Sequence, residues 1–319
     1  MPEKIISQNL DANESAFFAR ELEFVKAKTY DIKYPALKAT SLIPVSMDAG
    51  PGTESITYQQ FDQVGIMKII SNYADDLPRS DVFGNEFTSK VKSLGGSYGY
   101  NIQEVRNAMM AGRPLNTRKA ASVRKANDLK VNNIAWFGNA KAGLLGMLNQ
   151  PNVPAAVAST GATTGFIPWV ATNCKNAAEI LADLNDVVTD MEELTKGVEI
   201  PDTILLPVAQ WRKISTTVMG TGTDTTIKSF FLNNNPEIKS IEWVNELKDV
   251  TPLPSGDSGT KDVMICYKKD PDVLTLEIPQ MFEQFPAQER NLEFVIPAHS
   301  RIGGVVVYYP LAISIVEGI

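Results

Sequence analysis

A chain of 319 residues, 44% hydrophobic and 21% charged, can bury a sizeable core and is expected to form one elaborated domain or two intimate ones. Its 30 cations against 37 acids leave a net charge of −7, which argues against a dedicated nucleic-acid binder while leaving room for a local basic face. Cys174 and Cys266 spell neither a metal site nor a disulfide framework, and the polar N-terminus and the lack of a run of about 18 apolar residues exclude a signal peptide and a membrane span, so a reducing, soluble compartment is expected.

Residues 1 to about 30 read as a polar, extended arm with one amphipathic stretch, Asn13 to Val25. Pro35 and Pro44 then break TYDIKYPALKATSLIPVS into short strands or edge pieces. Between residues 47 and 90, MDAGPGTE is turn-rich, ITYQQFDQ and GIMKIISNY are strand-like, and ADDLPRSDVFGNE is a polar return. Such a two-stranded excursion is marginal alone in water, so it either carries its own core or packs on a neighbouring subunit. Strand-like VKSLGGSYGYN leads to a short helix at about Ile102 to Ala111, ended by Gly112.

The segment Arg113 to Val153 organises the chain. Pro114 opens a helix of about 23 residues, roughly 35 Å long, which closes at Trp136-Phe137-Gly138-Asn139 before Gly143-Leu144-Leu145-Gly146. At 100° per residue, Leu115, Ala120, Val123, Ala126, Val131, Ile134 and Phe137 fall within about 160° and form the buried side. Lys119 and Lys130 lie in that sector, where their stems pack and their charges snorkel. Arg118, Arg124 and Lys125 share the opposite sector with Asp128 and Asn132. From 113 to 130 six cations face one acid, a local +5 that is either a solvated face or a surface for a polyanion.

After Pro151, VPAAVASTGATTG reads as a loop, and a second helix at about Asn176 to Lys196 follows, with Asn176 and Glu179 at capping-box spacing and Gly197 past its end. Its apolar stripe marks a surface helix on a sheet, with Glu179, Asp183, Asp186, Asp190, Glu192 and Glu193 on the rest of its surface. From Pro201 the chain reads TILLP, helical AQWRKISTTV, then strands IKSIEWV, DVMICYK, VLTLEIP, LEFVIP, IGGVVVYY and LAISIV, with loops at 219 to 226 and 251 to 261. The mixture is α+β. Catalysis has little footing: His299 is the single histidine and neighbouring Ser300 is not placed as its nucleophile. The GTGTDTT loop lacks the Gly-Lys-Ser/Thr of a phosphate loop, and no metal spacing occurs, so neither cofactor nor metal is expected.

The order of these parts, with GN-x-x-x-GLLG at 138 to 146 and a strand followed by Trp-x-x-Ile at 203 to 214, resembles the major capsid proteins of tailed bacteriophages with the HK97-like fold, more narrowly their encapsulin-like branch. The resemblance covers essentially the whole chain. It implies an N-terminal arm at 1–45, an E-loop at 46–90, a peripheral domain at 91–198 with a spine helix at about 114–136, an axial domain at 199–270, and return strands plus a C-terminal strand at 271–319. It implies a structural protein, not an enzyme, that joins itself into pentamers and hexamers of an icosahedral virion shell around double-stranded DNA.

In that family the spine helix faces the interior, which makes Arg118, Arg124 and Lys125 the expected DNA contacts. The loop Gly220, Thr221, Gly222, Thr223 and Asp224 would sit near the capsomer axis, and Gly50, Gly52, Gly95 and Gly96 are candidate hinges. Assembly in the host bacterial cytoplasm with portal and scaffolding proteins is implied too, with room for a decoration protein and no membrane. The chain starts directly in the arm, so a fused helical prodomain is not expected, and no lysine and asparagine match a cross-linking pair, so non-covalent joints are. A compartment shell enclosing cargo enzymes, and more distantly an α+β enzyme, are the other classes.

Overall fold

Three runs in the second half of the chain, TILL, VMICY and ISIVE, are apolar at nearly every position, the pattern of strands covered on both faces. In the computed structural model, which describes residues 35–65, 67, 79–112, 118–220, 222 and 224–319, every residue of all three runs is buried. Residues 1–34 of the expected N-terminal arm, and Thr221 and Thr223, lie outside the described residues. Leu37–Ile319 form one compact unit.

In chain order its elements are α1 (Ala39–Leu42), β1 (Val45–Ser46), β2 (Ser55–Val64), β3 (Asp81–Lys90), β4 (Lys92–Asn101), α2 (Ile102–Met110), α3 (Arg118–Phe137), β5 (Ala155–Val157), α4 (Ala177–Thr195) and β6 (Thr203–Leu206). They continue as α5 (Val208–Thr216), α6 (Ile227–Asn234), β7 (Ser240–Trp243), β8 (Val263–Tyr267), β9 (Leu274–Glu277), β10 (Gln280–Gln284), β11 (Gln288–Arg290), β12 (Glu293–Ile302), β13 (Gly304–Val307) and β14 (Ile313–Glu317).

The central sheet has the order β5-β14-β8-β6-β7. Because side chains alternate across a strand, each strand feeds two cores. Leu205, Val263, Ile265, Tyr267, Ile313 and Ile315 pack in the core that holds Ile134, Ala135 and Trp136 of α3. Ile204, Leu206, Met264, Cys266 and Val316 pack against Ile180, Leu184, Val187 and Met191 of α4 and Phe231 of α6. The sheet is therefore a shared wall. The expected borders at 198/199 and 270/271 cut across this packing, since α4 covers the same sheet as β6 and β8, and β14 pairs with β8 in its middle.

The spine helix holds over its described length, but its burial is uneven along its axis. Only Val131, Asn132, Ile134, Ala135 and Trp136 are buried. The first half faces β4, where a Cβ on Gly96 would meet Val123 Cγ1 at 3.2 Å, but a cavity of about 420 Å³ opens between that face and the strand, so Ala126 and Lys130, which line it, are exposed rather than covered. Asn132 departs from the expected cationic sector. It accepts from Ala39 N at 3.1 Å and donates to Glu246 Oε1 at 2.5 Å, because α1 lies across that face.

The helix ends where GN-x-x-x-GLLG begins, and the reason for those glycines is contact. Gly138 has φ +65°, and a Cβ on Gly146 would collide with Gly138 N and stand 2.7 Å from Ile134 O. The two backbones touch, and Leu145 O accepts from Val305 N at 2.8 Å, so the turn fastens the spine to β13.

Several segments differ from expectation. The stretch at 39–42 is helical, its carbonyls and amides engaged locally and with Asn132. Part of the polar return at 81–90 is the second strand of the hairpin, while most of GIMKIISNY lies outside the described residues. Ala155–Val157, read as loop, is an edge strand on β14. Ile227–Asn234 is a helix that the small polar residues before it concealed; Thr226 caps it by accepting from Ser229 N at 3.3 Å.

Two acids of α4 are interior groups rather than solvated charge. Asp183 accepts from Lys175 Nζ and Trp169 Nε1, each at 2.6 Å, with Lys175 and Trp169 fully enclosed. Glu179 closes the expected capping box with Asn176 and also accepts from Thr163 N at 2.7 Å, Thr164 N at 2.8 Å and Thr164 Oγ1 at 2.7 Å. Burial opposes its charge, but these hydrogen bonds outweigh it and hold the carboxyl down at about 2, against an ordinary 4.5.

Two outcomes are expected. Gly146→Ala forces backbone against backbone and should lower unfolding stability by about 1–3 kcal/mol or prevent folding, read from the urea midpoint. Because the folded pKa of Glu179 is depressed, its stabilisation is present above pH 4.5 and lost as pH falls toward 2. Glu179→Gln should therefore be less stable than the parent above pH 4.5, with the gap closing toward pH 2 in urea melts at stepped pH.

Candidate assembly interface

β2 and β3 pair in unbroken register from Ser55↔Lys90 to Val64↔Asp81. Beyond its root this hairpin is exposed on both faces, with Phe61 64%, Val64 47%, Val82 55% and Phe83 59% accessible. A two-stranded ribbon carrying such side chains in water is not self-supporting, and exposed apolar patches of this kind mark interaction surfaces.

Its root is held by a few specific contacts. Tyr58 stacks on its cross-strand partner Phe87 at 5.3 Å, meets Tyr308 edge-on at 4.9 Å, and donates its hydroxyl to Val307 O at 3.1 Å. Burial and the neighbouring Tyr308 push the Tyr58 hydroxyl above its ordinary range, so it stays a neutral donor. Ser89 Oγ donates to Gly303 O at 3.0 Å, and Val91 N to Glu54 O at 2.9 Å.

The second surface is the first half of α3. Lys119 behaves as its sector requires: its stem crosses Tyr100, with the ammonium 4.7 Å from the ring centre, and its charge reaches Gly99 O at 3.0 Å and Glu104 Oε2 at 2.9 Å. Lys119 thereby ties the spine to α2. Arg118 and Arg124 are exposed and Lys125 is half-buried.

The third surface is the loop between α5 and α6. Its base is closed by Val218 pairing with Thr226 and by Met219 N donating to Thr225 O at 3.0 Å, so Gly220, Gly222 and Asp224 stand at an exposed tip. The cations, the loop and the glycines occupy separate elements. Gly50 and Gly52 flank Pro51 in the turn before β2, with open space where a Cβ would stand. Gly95 and Gly96 instead sit inside β4, paired with His299 and Ala298, so ladder bonds restrain them. His299 is half-buried in β12, and Ser300 Oγ is engaged with Asn127 Oδ1 at 2.5 Å. Cys266 is fully buried and its thiol is pushed up by burial and by Asp202. No described helix is long and apolar enough to cross a membrane.

A double-faced sheet, a long spine, an antiparallel β-ribbon and a protruding hairpin define the HK97-like class of phage capsid subunits, and the solved structures agree. The capsid of Myoviridae phage XM1 matches with TM-score 0.80 and 16% identity over 96% of this chain and 99% of that one. Mycobacterium phage Adephagia gives 0.57 and 12% over 96% and 99%, and the virus-like particle from Pyrococcus furiosus 0.50 and 14% over 87% and 91%. Curated protein sequences gave no match. The family model described as major capsid protein matches residues 65–319, and the chain belongs to that family. It is a structural shell protein, with the family and fold of capsid proteins.

Proposed function

We propose that copies of this chain join as pentamers and hexamers into an icosahedral shell enclosing packaged double-stranded DNA. The observation that carries the reading is the hairpin, whose Phe61, Val64, Val82 and Phe83 are exposed and, among the described residues, join neither core. A neighbouring copy supplies the missing cover, and many such weak joints make a strong shell. In this reading residues 1–45 form the arm, 46–90 the E-loop, the spine and the β4–β12 ribbon the peripheral part, and the α5–α6 loop lies near the capsomer axis. The turn at Gly50 and Gly52 is the hinge of the hairpin. Portal and scaffolding proteins join during assembly in the host cytoplasm, and the shell ends in the virion.

Arg118, Arg124 and Lys125 serve as the DNA-facing charge. Contacts of this kind are independent of base sequence and weaken with salt. A shell around cargo enzymes would share the fold, and the nucleic-acid content of purified particles separates the two readings.

Both roles can be tested by substitution. Because Ser55 and Lys90 are direct partners, excising residues 56–89 and joining the ends through a short glycine turn should leave a folded subunit that forms no closed shells; normal particles in electron micrographs would refute the role of the hairpin. Replacing Arg118, Arg124 and Lys125 by Gln should leave shells intact but lower the DNA retained per particle, read from the ratio of absorbance at 260 and 280 nm. Unchanged retention would make the three cations a solvated face.

A further inference from the structure

A cavity of about 870 Å³ opens between β1 and the root of the hairpin. Tyr58, Phe61, Tyr308 and Tyr309 supply rings to its wall and Asp48 and Asp272 supply carboxylates, while among the described residues no lysine or arginine lines it. Behind the wall a third carboxylate, buried Glu277, accepts from Ser46 Oγ at 3.0 Å and Thr275 Oγ1 at 2.7 Å. Aromatic rings and carboxylates around a space with no cation of its own favour positive charge and repel a phosphate backbone.

The backbone around the cavity is equally specific. Tyr58, Gln59, Gln60 and Phe61 line it consecutively, which places the edge of β2 along it, and among the described strands β2 pairs with β3 alone. On the facing side, β9 takes the carbonyls of Pro44 and Ser46, at 2.7 Å from Leu276 N and 3.0 Å from Ile278 N. In a parallel ladder this turns the amide and carbonyl of Val45 outward. The cavity thus runs between two strand edges, the setting in which extended chain adds by main-chain hydrogen bonds.

We propose that this groove receives an extended, lysine-bearing segment of a second copy of the chain, its backbone adding to the β2 edge and its ammonium entering among the rings toward Asp48 and Asp272. A second copy fits by charge: the chain is −7 overall yet concentrates cations locally, and 21 of its 30 cations are lysines. An acidic groove on one copy that takes a basic segment from elsewhere on the next is a head-to-tail contact, which propagates around a ring. This inference rests on the shell reading, and it assigns a seat for the neighbour that the hairpin alone does not.

The test uses shells assembled from equal parts of ¹⁴N- and ¹⁵N-labelled full-length chain, treated with a carbodiimide that couples carboxylates to lysine amines, with linked peptides read by mass spectrometry. Mixed-isotope peptides joining Asp48 or Asp272 to a lysine are expected. In parallel, shells of the double variant Asp48→Asn, Asp272→Asn should release subunits with a dissociation constant raised about tenfold at low salt, the difference shrinking as salt rises. The free variant subunit should unfold at the parental urea midpoint, since both carboxylates sit on the cavity wall rather than in a core. Links confined to one chain, links to a different protein, or equal dissociation of variant and parental shells would overturn the assignment while leaving the shell reading intact. Failure of the unmodified chain to form shells would remove both.

Discussion

One layer of five strands holds the molecule together because it has no spare face. In β6 and β8 each step along the chain alternates between the core under the spine and the core under α4, so a slip of one residue would exchange two complete sets of contacts. That constraint explains why residues as far apart as Ala155 and Glu317 are needed in the same sheet. It also explains why the exposed parts can vary in direction without disturbing it. The hairpin is rooted on β13 and α2 follows β4, so both stand outside this layer.

Much of this was legible in the residues. Continuous apolar runs mark strands buried twice, and TILLP, DVMICYK and LAISIV read as strands from the residues alone. The capping box of Asn176 and Glu179 and the glycines after Phe137 were likewise visible, because their chemistry is local. What escaped was whatever depends on a distant partner. The periodicity of α3 could not show that α1 would cover Asn132, since Ala39 stands 93 residues away in the chain. Nor could it show that a cavity opens between the first half of the helix and β4. Asp183 looked like solvated charge because the lysine that neutralises it belongs to a loop, not to the helix pattern.

The surfaces divide along the same line. Composition exposed the cations of α3, and turn chemistry exposed the loops, but the root of the hairpin was invisible: Tyr58 meets Val307 and Tyr308 across about 250 positions of sequence. A tyrosine centred in a polar strand, TYQQ, was the available trace, since a large ring there needs something to lie against. The order of parts, rather than any single motif, carried the resemblance, and the family match over residues 65–319 bears it out.

The hairpin has a mechanical consequence. Ten residues at about 3.3 Å each make an arm of roughly 33 Å, held near its root by Tyr58, Ser89 and Val91. A lever of that length amplifies: tilting its root by about 10° swings its far end by about 6 Å, more than the spacing between neighbouring strands. In the shell proposed above, chains of identical sequence and interior would reach differently placed neighbours through a rotation absorbed by those few root contacts.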